Sequence, residues 1–130
     1  MSSRPSGLIA AARNLLERPD PATAGLWPRA TALLARQALE SALDELWRLR
    51  APGVERCSAR AQLLCLPYFL NNDELAERVS YTWSGLSRAV HHHAYELSPT
   101  SPELLEWINT VEQLGESVRT SVQTQFKPEI

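Results

Sequence analysis

The sequence predicts an all-α protein, an antiparallel helical bundle of about five helices. Apolar residues recur three and four positions apart through most of the chain, which is the period of a helix with one buried face. No run of β-branched or aromatic residues alternates with polar residues over the length of a strand. Long periodic segments joined by short breaks favour antiparallel packing of neighbouring helices.

The first two predicted helices are separated by "RPDPATAGLW", in which two prolines and a glycine interrupt the periodicity. The first helix covers about residues 6–18. Its apolar face consists of Leu8, Ala12, Leu15 and Leu16. The second runs from Pro28 to about Arg50, because proline is favoured at the first helical position, where its missing N–H costs nothing. Its buried face consists of Ala32, Ala35, Leu39, Leu43 and Leu46, and its solvated face of Gln37, Ser41, Asp44 and Arg48.

The next two segments begin at polar residues. A short third helix runs from about Ser58 to Phe69, with Ser58 as its N-cap, and Pro67 is expected to kink or end it. The fourth helix begins near Asn72 and continues to about residue 93. The acidic residues of its first turns suit the positive end of the helix dipole; they are Asp73, Glu74 and Glu77. Its apolar stripe consists of Leu75, Val79, Trp83, Leu86, Val90 and His93.

The fifth helix is predicted at residues 101–125, with Ser101 as its cap and Pro102 at its first position. Its apolar face consists of Leu104, Ile108, Val111, Val118 and Val122. The segment "FKPEI", from about residue 126, is typical of a frayed tail. Together the five segments predict a single domain over residues 1–130.

The composition is that of an ordinary globular protein, with 44% apolar and 22% charged residues. No apolar run approaches the roughly 20 residues that a membrane-spanning helix needs. The N-terminal residues lack the apolar stretch of a signal peptide. Without a secretion signal, Cys57 and Cys65 are expected to be reduced. We therefore expect a cytoplasmic protein with no membrane partner.

The charge is unevenly distributed along the chain. The net charge is −2, yet residues 4–60 hold nine arginines and six acidic residues, whereas residues 61–130 hold four basic and nine acidic residues. Arginine binds phosphate through a planar fork of donors, and codon bias from a genome rich in G and C is an equally simple source of the excess. The candidates for making a cleft locally basic are Arg29, Arg36, Arg56 and Arg60.

The stretch "RAVHHHAY", residues 88–95, contains all three histidines of the chain. Neighbouring residues of a helix point about 100° apart, so His91, His92 and His93 cannot bind one ion together. Helical zinc ligands are spaced i, i+4, and no second cluster of His, Cys or acidic residues supplies the missing ligands. We therefore predict neither a metal nor a cofactor.

Gly85 lies between Ser84 and Ser87 inside the fourth predicted helix. Glycine within a helix costs about 1 kcal/mol relative to alanine, so a row of small residues here indicates close approach by another helix. That helix belongs either to the same chain or to a second copy, and the sequence leaves both open.

Arg88, His93 and Tyr95 occupy the fixed places of the pattern R-x4-H-x-Y. This pattern resembles the signature of HEPN domains and, with the tyrosine, that of HepT-type toxins. The resemblance implies a HEPN-like bundle whose motif ends a long helix, and a homodimer in which two motifs form one composite site for RNA cleavage. It also implies that a nucleotidyltransferase antitoxin silences the site by adenylylating Tyr95.

Cleavage of RNA without a metal needs a base, an acid and a cation to hold the charged phosphate. Histidine titrates near neutral pH and suits the proton transfers, so we assign His93 as acid or base, assisted by His91 or His92. Arg88 is the phosphate clamp, because its guanidinium pairs with two phosphate oxygens at once. Arg36 is predicted to bind phosphate as well.

One departure from the family keeps a second function open. Ala89 follows Arg88, where family members often carry a polar residue such as asparagine. The alternative is a catalytically silent HEPN-like dimer that binds a nucleotide or a partner protein. A plain helical adaptor is a third possibility. A small nucleotidyltransferase encoded beside the gene would favour the toxin function.

Overall fold

The computed structural model describes residues 4–17, 27–91 and 98–125. Within these ranges it contains five α-helices and no strand, which confirms the all-α prediction. The helices are α1 (Arg4–Glu17), α2 (Trp27–Arg50), α3 (Ala59–Leu70), α4 (Asp73–Val90) and α5 (Ser101–Gln125), with one 3₁₀ turn at Val54–Arg56. None of these helices has both the length and the apolar content needed to cross a bilayer. The predicted frayed tail from about residue 126 lies outside the described residues.

Helices α2 and α5 form the centre of the bundle. They contact each other, and each of them also contacts α1 and α4. Arg78, early in α4, donates a hydrogen bond to Gln113 in the middle of α5, whereas Gly85, later in α4, lies against Trp107, earlier in α5. These two contacts show that α4 and α5 are antiparallel. The end of α4 therefore lies beside the start of α5.

The core forms where the predicted apolar faces meet. All five residues of the predicted buried face of α2 are buried, as are four of the five predicted for α5. The fully buried indole of Trp47 packs edge-on against Phe69 of α3, with ring centroids 5.6 Å apart. Its Nε1–H donates to Gln62 Oε1 at 2.9 Å, so the one polar atom of the indole is satisfied. Val122, the fifth residue predicted for α5, has no described side chain.

The predicted starts of α3 and α4 are confirmed. Ser58 Oγ accepts a hydrogen bond from the Ala61 N–H at 3.2 Å. Asn72 Oδ1 accepts one from the Leu75 N–H at 3.0 Å. Each cap satisfies a backbone donor that the first turn of a helix leaves without an intrahelical acceptor.

Helix α3 ends within one residue of the predicted Phe69 and is not ended by Pro67, whereas α4 ends earlier than predicted. Helix α3 continues through Pro67 to Leu70 and ends at Asn71, which has a left-handed backbone with φ 56°. A proline so close to a C-terminus removes only one hydrogen bond near the end of the helix. Helix α4 ends at Val90, so the predicted end at about residue 93 is wrong. His93 lies outside the described residues.

The cap of α5 is Thr100, not Ser101. The Thr100 N–H and Oγ–H both donate to Glu103 Oε1, at 3.1 Å and 3.0 Å, and the Glu103 N–H donates back to Thr100 Oγ1 at 3.3 Å. This reciprocal pattern is a capping box, which requires an acidic or amide residue three positions after the cap. Ser101 has no such residue at that spacing, because Leu104 occupies the position.

Candidate functional site

The site centres on the last turn of α4. Arg88 is exposed there, and in the part of the chain that the structure describes no hydrogen bond or ion pair engages its guanidinium. His91, also exposed, is the C-cap residue of α4 and donates its backbone N–H to the Ser87 carbonyl at 3.0 Å. The helix end thus presents an arginine whose donor fork meets no acceptor among the described residues, together with an accessible imidazole.

Helix α2 brings two more arginines to this end of α4. Arg29 Nη2 donates to the Val90 carbonyl at 3.2 Å. A cation at this position satisfies an acceptor that the helix end leaves open, and it lies at the negative end of the helix dipole. Arg36 Nη1 lies 3.4 Å from His91 Nε2, although the two residues are 55 positions apart in the sequence. The predicted phosphate residue Arg36 therefore lies beside one of the predicted histidines.

Two contacts hold the guanidinium of Arg36 in place. Its Nε donates to Glu40 Oε1 at 3.1 Å, an i, i+4 ion pair along α2. Its Cζ lies 5.0 Å from the centroid of the half-buried Trp83 ring, within range of a cation–π interaction. These contacts orient the Arg36 side chain toward His91. Because they already restrict its rotamers, little further side-chain entropy is lost when Arg36 binds an anion.

A cavity of about 470 Å³ opens beside Arg88, between the end of α4 and the start of α5. Arg88 and Glu103 line it with opposite charges, while Ala89, Pro99 and Trp107 supply apolar wall. The pKa of Glu103 is held below its usual value, chiefly by the hydrogen bond from the Thr100 N–H and then by the Thr100 hydroxyl, with a smaller contribution from Arg88. Glu103 therefore carries its negative charge at neutral pH.

Gly85 is covered by a residue of the same chain. A Cβ built on Gly85 would lie 2.5 Å from Trp107 Cζ2 and 2.8 Å from Cε2, closer than real side-chain contacts. Trp107 is only 7% exposed, so its ring is part of the core. Of the two possibilities left open by the sequence, close packing within one chain therefore accounts for this glycine.

We expect Gly85→Ala to destabilise the fold by about 1–3 kcal/mol, since the added methyl group has to displace a packed indole. The matched control is Gly115→Ala in α5, where a Cβ meets nothing within 4 Å. There the ordinary helix preference for alanine applies, and we expect a gain of roughly 0.5–1 kcal/mol. Urea unfolding of both variants measures the difference. Equal stabilisation by the two substitutions would contradict the contact between Gly85 and Trp107.

The structure brings together some of the predicted site residues and does not describe others. Arg36, His91 and Arg88 lie at or beside the end of α4. His92, His93 and Tyr95 lie outside the described residues, so their roles stay predictions. The other two arginines proposed for a basic cleft, Arg56 and Arg60, are exposed and share no hydrogen bond with the described part of the site.

Sequence reasoning missed Glu103, and it placed Trp83 on the apolar stripe without a contact to Arg36. The spacing of Thr100 and Glu103 was a readable signal, because it matches a capping box. The position of Arg36 over Trp83 cannot be predicted from the sequence, since it depends on how α2 packs on α4.

Among the described residues, no group of three or more His, Cys, Asp or Glu side chains is placed to hold a metal ion. Comparison with protein-family models, curated proteins and solved structures finds no match to this chain.

Proposed function

We propose that the chain is a HEPN-like, metal-independent endoribonuclease of the toxin or defence type, acting as a cytoplasmic homodimer. The observation that carries this proposal is the meeting of cations at the end of α4. No residue in the described ranges engages the Arg88 guanidinium by a hydrogen bond or ion pair, and Arg36 is held beside His91 by its contacts with Glu40 and Trp83. Despite the net charge of −2, this end of the bundle has the groups that an RNA phosphate needs.

The reaction proposed for this site is attack by the ribose 2′-oxygen on the adjacent phosphorus. A histidine acting as base takes the 2′-OH proton, the new P–O bond forms, and the bond to the 5′-oxygen breaks. A second histidine acting as acid protonates the departing 5′-oxygen. Arg88 and Arg36 hold the non-bridging oxygens while negative charge accumulates on the phosphorane. His93 is the main acid or base, assisted by His91 or His92.

A homodimer supplies both proton-transfer groups from one motif. In a two-fold dimer each chain contributes the same residues, so one copy of His93 acts as base and the other as acid. Because Trp107 covers Gly85, this glycine does not take part in the contact between copies. We place that contact on the exposed side of the α4 end, which includes Ser84, Arg88 and His91.

The partner enzyme in this proposal is a nucleotidyltransferase antitoxin that modifies Tyr95. An attached nucleotide adds about one negative charge and considerable bulk beside Arg88. It would compete with RNA for the same guanidinium, so the modified toxin is silent.

The purified protein is expected to sediment as a dimer at micromolar concentration and to cut single-stranded RNA in the presence of EDTA. EDTA separates this activity from that of a contaminating metal-dependent nuclease. The expected products carry 2′,3′-cyclic phosphate and 5′-hydroxyl ends, since the nucleophile is the 2′-oxygen. A strict monomer, or cleavage that EDTA abolishes, would overturn the composite metal-independent site.

The second candidate is a HEPN-like dimer that binds a nucleotide or a partner protein without catalysis. Two features favour it. Arg29 and Arg36 are already engaged, by the Val90 carbonyl and by Glu40, which leaves fewer of their donors for a transition state. Ala89 also stands where related motifs carry a polar side chain. A dimer that leaves varied RNAs intact would select this candidate.

A further inference from the structure

The cavity between the end of α4 and the start of α5 has the polarity of a site for a flat, polar ligand. Its volume is about 470 Å³, and it opens to solvent next to the guanidinium of Arg88. Ala89, Pro99 and Trp107 provide apolar wall, and the carboxylate of Glu103 provides a negative acceptor at the edge of that wall. Ligand sites commonly combine an apolar wall with a few fixed polar groups in this way.

The carboxylate of Glu103 is held in a defined orientation. Its Oε1 accepts both donors of Thr100, at 3.1 Å and 3.0 Å. In the described part of the chain no donor reaches Oε2, so both lone pairs of this oxygen remain available to a ligand. An acceptor already fixed by its own helix cap loses little side-chain freedom on binding.

We propose that this cavity binds the guanine base of a nucleotide whose phosphate lies on Arg88. Guanine is the only common base with two adjacent N–H donors on one edge, the N1–H and the 2-amino group, and the two lone pairs of Glu103 Oε2 are there to accept them. Adenine and cytosine place a ring nitrogen acceptor beside their amino group, and uracil places carbonyl oxygens on both sides of its N–H. These acceptors repel a carboxylate, so Glu103 selects guanine.

One part of this inference rests on the proposed function: the bound nucleotide is taken to be part of an RNA substrate. With the base in the cavity and a neighbouring phosphate on Arg88, the phosphodiester next to a guanosine is the one presented to the histidines. Cleavage is therefore expected beside guanosines in single-stranded RNA, whose bases are free to enter a cavity.

Calorimetric titration of the full chain with nucleoside monophosphates tests the cavity without requiring cleavage. Guanosine 5′-monophosphate is expected to bind at least about tenfold more tightly than adenosine or uridine monophosphate. Inosine monophosphate, which lacks the 2-amino group, is expected to bind more weakly than the guanosine form. In Glu103→Gln, the side-chain oxygen still caps α5, but the second acceptor becomes a donor, so the preference for guanine should disappear.

The matched control is Glu106→Gln, which removes an exposed carboxylate from the next turn of the same helix and should keep the preference. Equal affinities for all monophosphates, no binding of any of them, or a preference retained by Glu103→Gln would each overturn the inference. Guanine-selective binding without RNA cleavage would leave the inference standing and refute the ribonuclease. RNA cleavage without any preference for guanosine would refute the inference and leave the proposed ribonuclease standing.

Discussion

Replacing Arg88 by alanine is expected to lower RNA cleavage by roughly 10²–10³-fold, and replacing His93 by roughly 10²–10⁴-fold. We attribute the loss in the Arg88 variant to its proposed contact with the phosphate. No described residue forms a hydrogen bond or ion pair with the Arg88 guanidinium, so the substitution removes no such contact from the fold. For the same reason the Arg88 variant should keep the wild-type circular dichroism spectrum and sedimentation. EDTA should change the rate of none of these proteins.

The control for charge removal is Arg119→Ala. Arg119 is also exposed, but it lies in the C-terminal half of α5, about 24 Å along the helix from Glu103. Its removal makes the net charge more negative by the same amount without touching the end of α4, so cleavage should be almost unchanged. Comparable losses in the Arg119 and Arg88 variants would show that Arg88 acts only through overall charge. Full activity in the Arg88 variant would remove it from the site.

Replacing Trp47 by alanine is expected to destabilise the fold by roughly 3–5 kcal/mol, a large share of the stability of a small domain. The substitution leaves a cavity beside Phe69 and removes the donor that satisfies Gln62 Oε1 at 2.9 Å. Gln62 in turn donates to the Cys57 carbonyl at 2.9 Å, so the substitution also affects the segment that connects α2 to α3. Urea unfolding followed by helical circular dichroism measures the change.

Tyr68→Ala is the matched control, because Tyr68 is an aromatic residue on α3 that is 85% exposed. A surface substitution of this kind usually changes stability by no more than about 0.5 kcal/mol. The free energy of unfolding of Trp47→Phe should fall between those of the other two variants, since phenylalanine fills part of the space of the indole but cannot form the hydrogen bond to Gln62. Similar stabilities of Trp47→Ala and Tyr68→Ala would show that the α2–α3 contact contributes little to the fold.

Local sequence was sufficient to predict the helices and the faces they bury. The bounds of α5 at 101–125, the cap at Ser58 and the start of α4 near Asn72 were predicted, because periodicity and capping depend only on residues a few positions apart. The wrong predictions also concern the ends of helices. Ser101 was predicted to cap α5, but Thr100 does so, and α4 was predicted to end at about residue 93, but it ends at Val90. Neighbouring signals compete at helix ends, so boundaries are less certain than the helices themselves.

The candidate site was only partly predictable. Arg88 was found from its place in a motif, and Arg36 from its residue type and helix. The distance of 3.4 Å between Arg36 and His91 required the structure, because it joins residues on two helices. The roles of His93 and Tyr95 stay predictions from the motif.

The sequence by itself determined which segments are helical, which of their faces are apolar, and which side chains are able to handle a phosphate. The tertiary structure alone decided that Trp107 of the same chain fills the space over Gly85, and that Glu103 and Arg88 line one cavity. The physical reason is that helix periodicity depends on neighbours within one or two turns. Contacts between helices depend instead on how whole apolar faces fit together, and that fit brings together residues that the chain order keeps far apart.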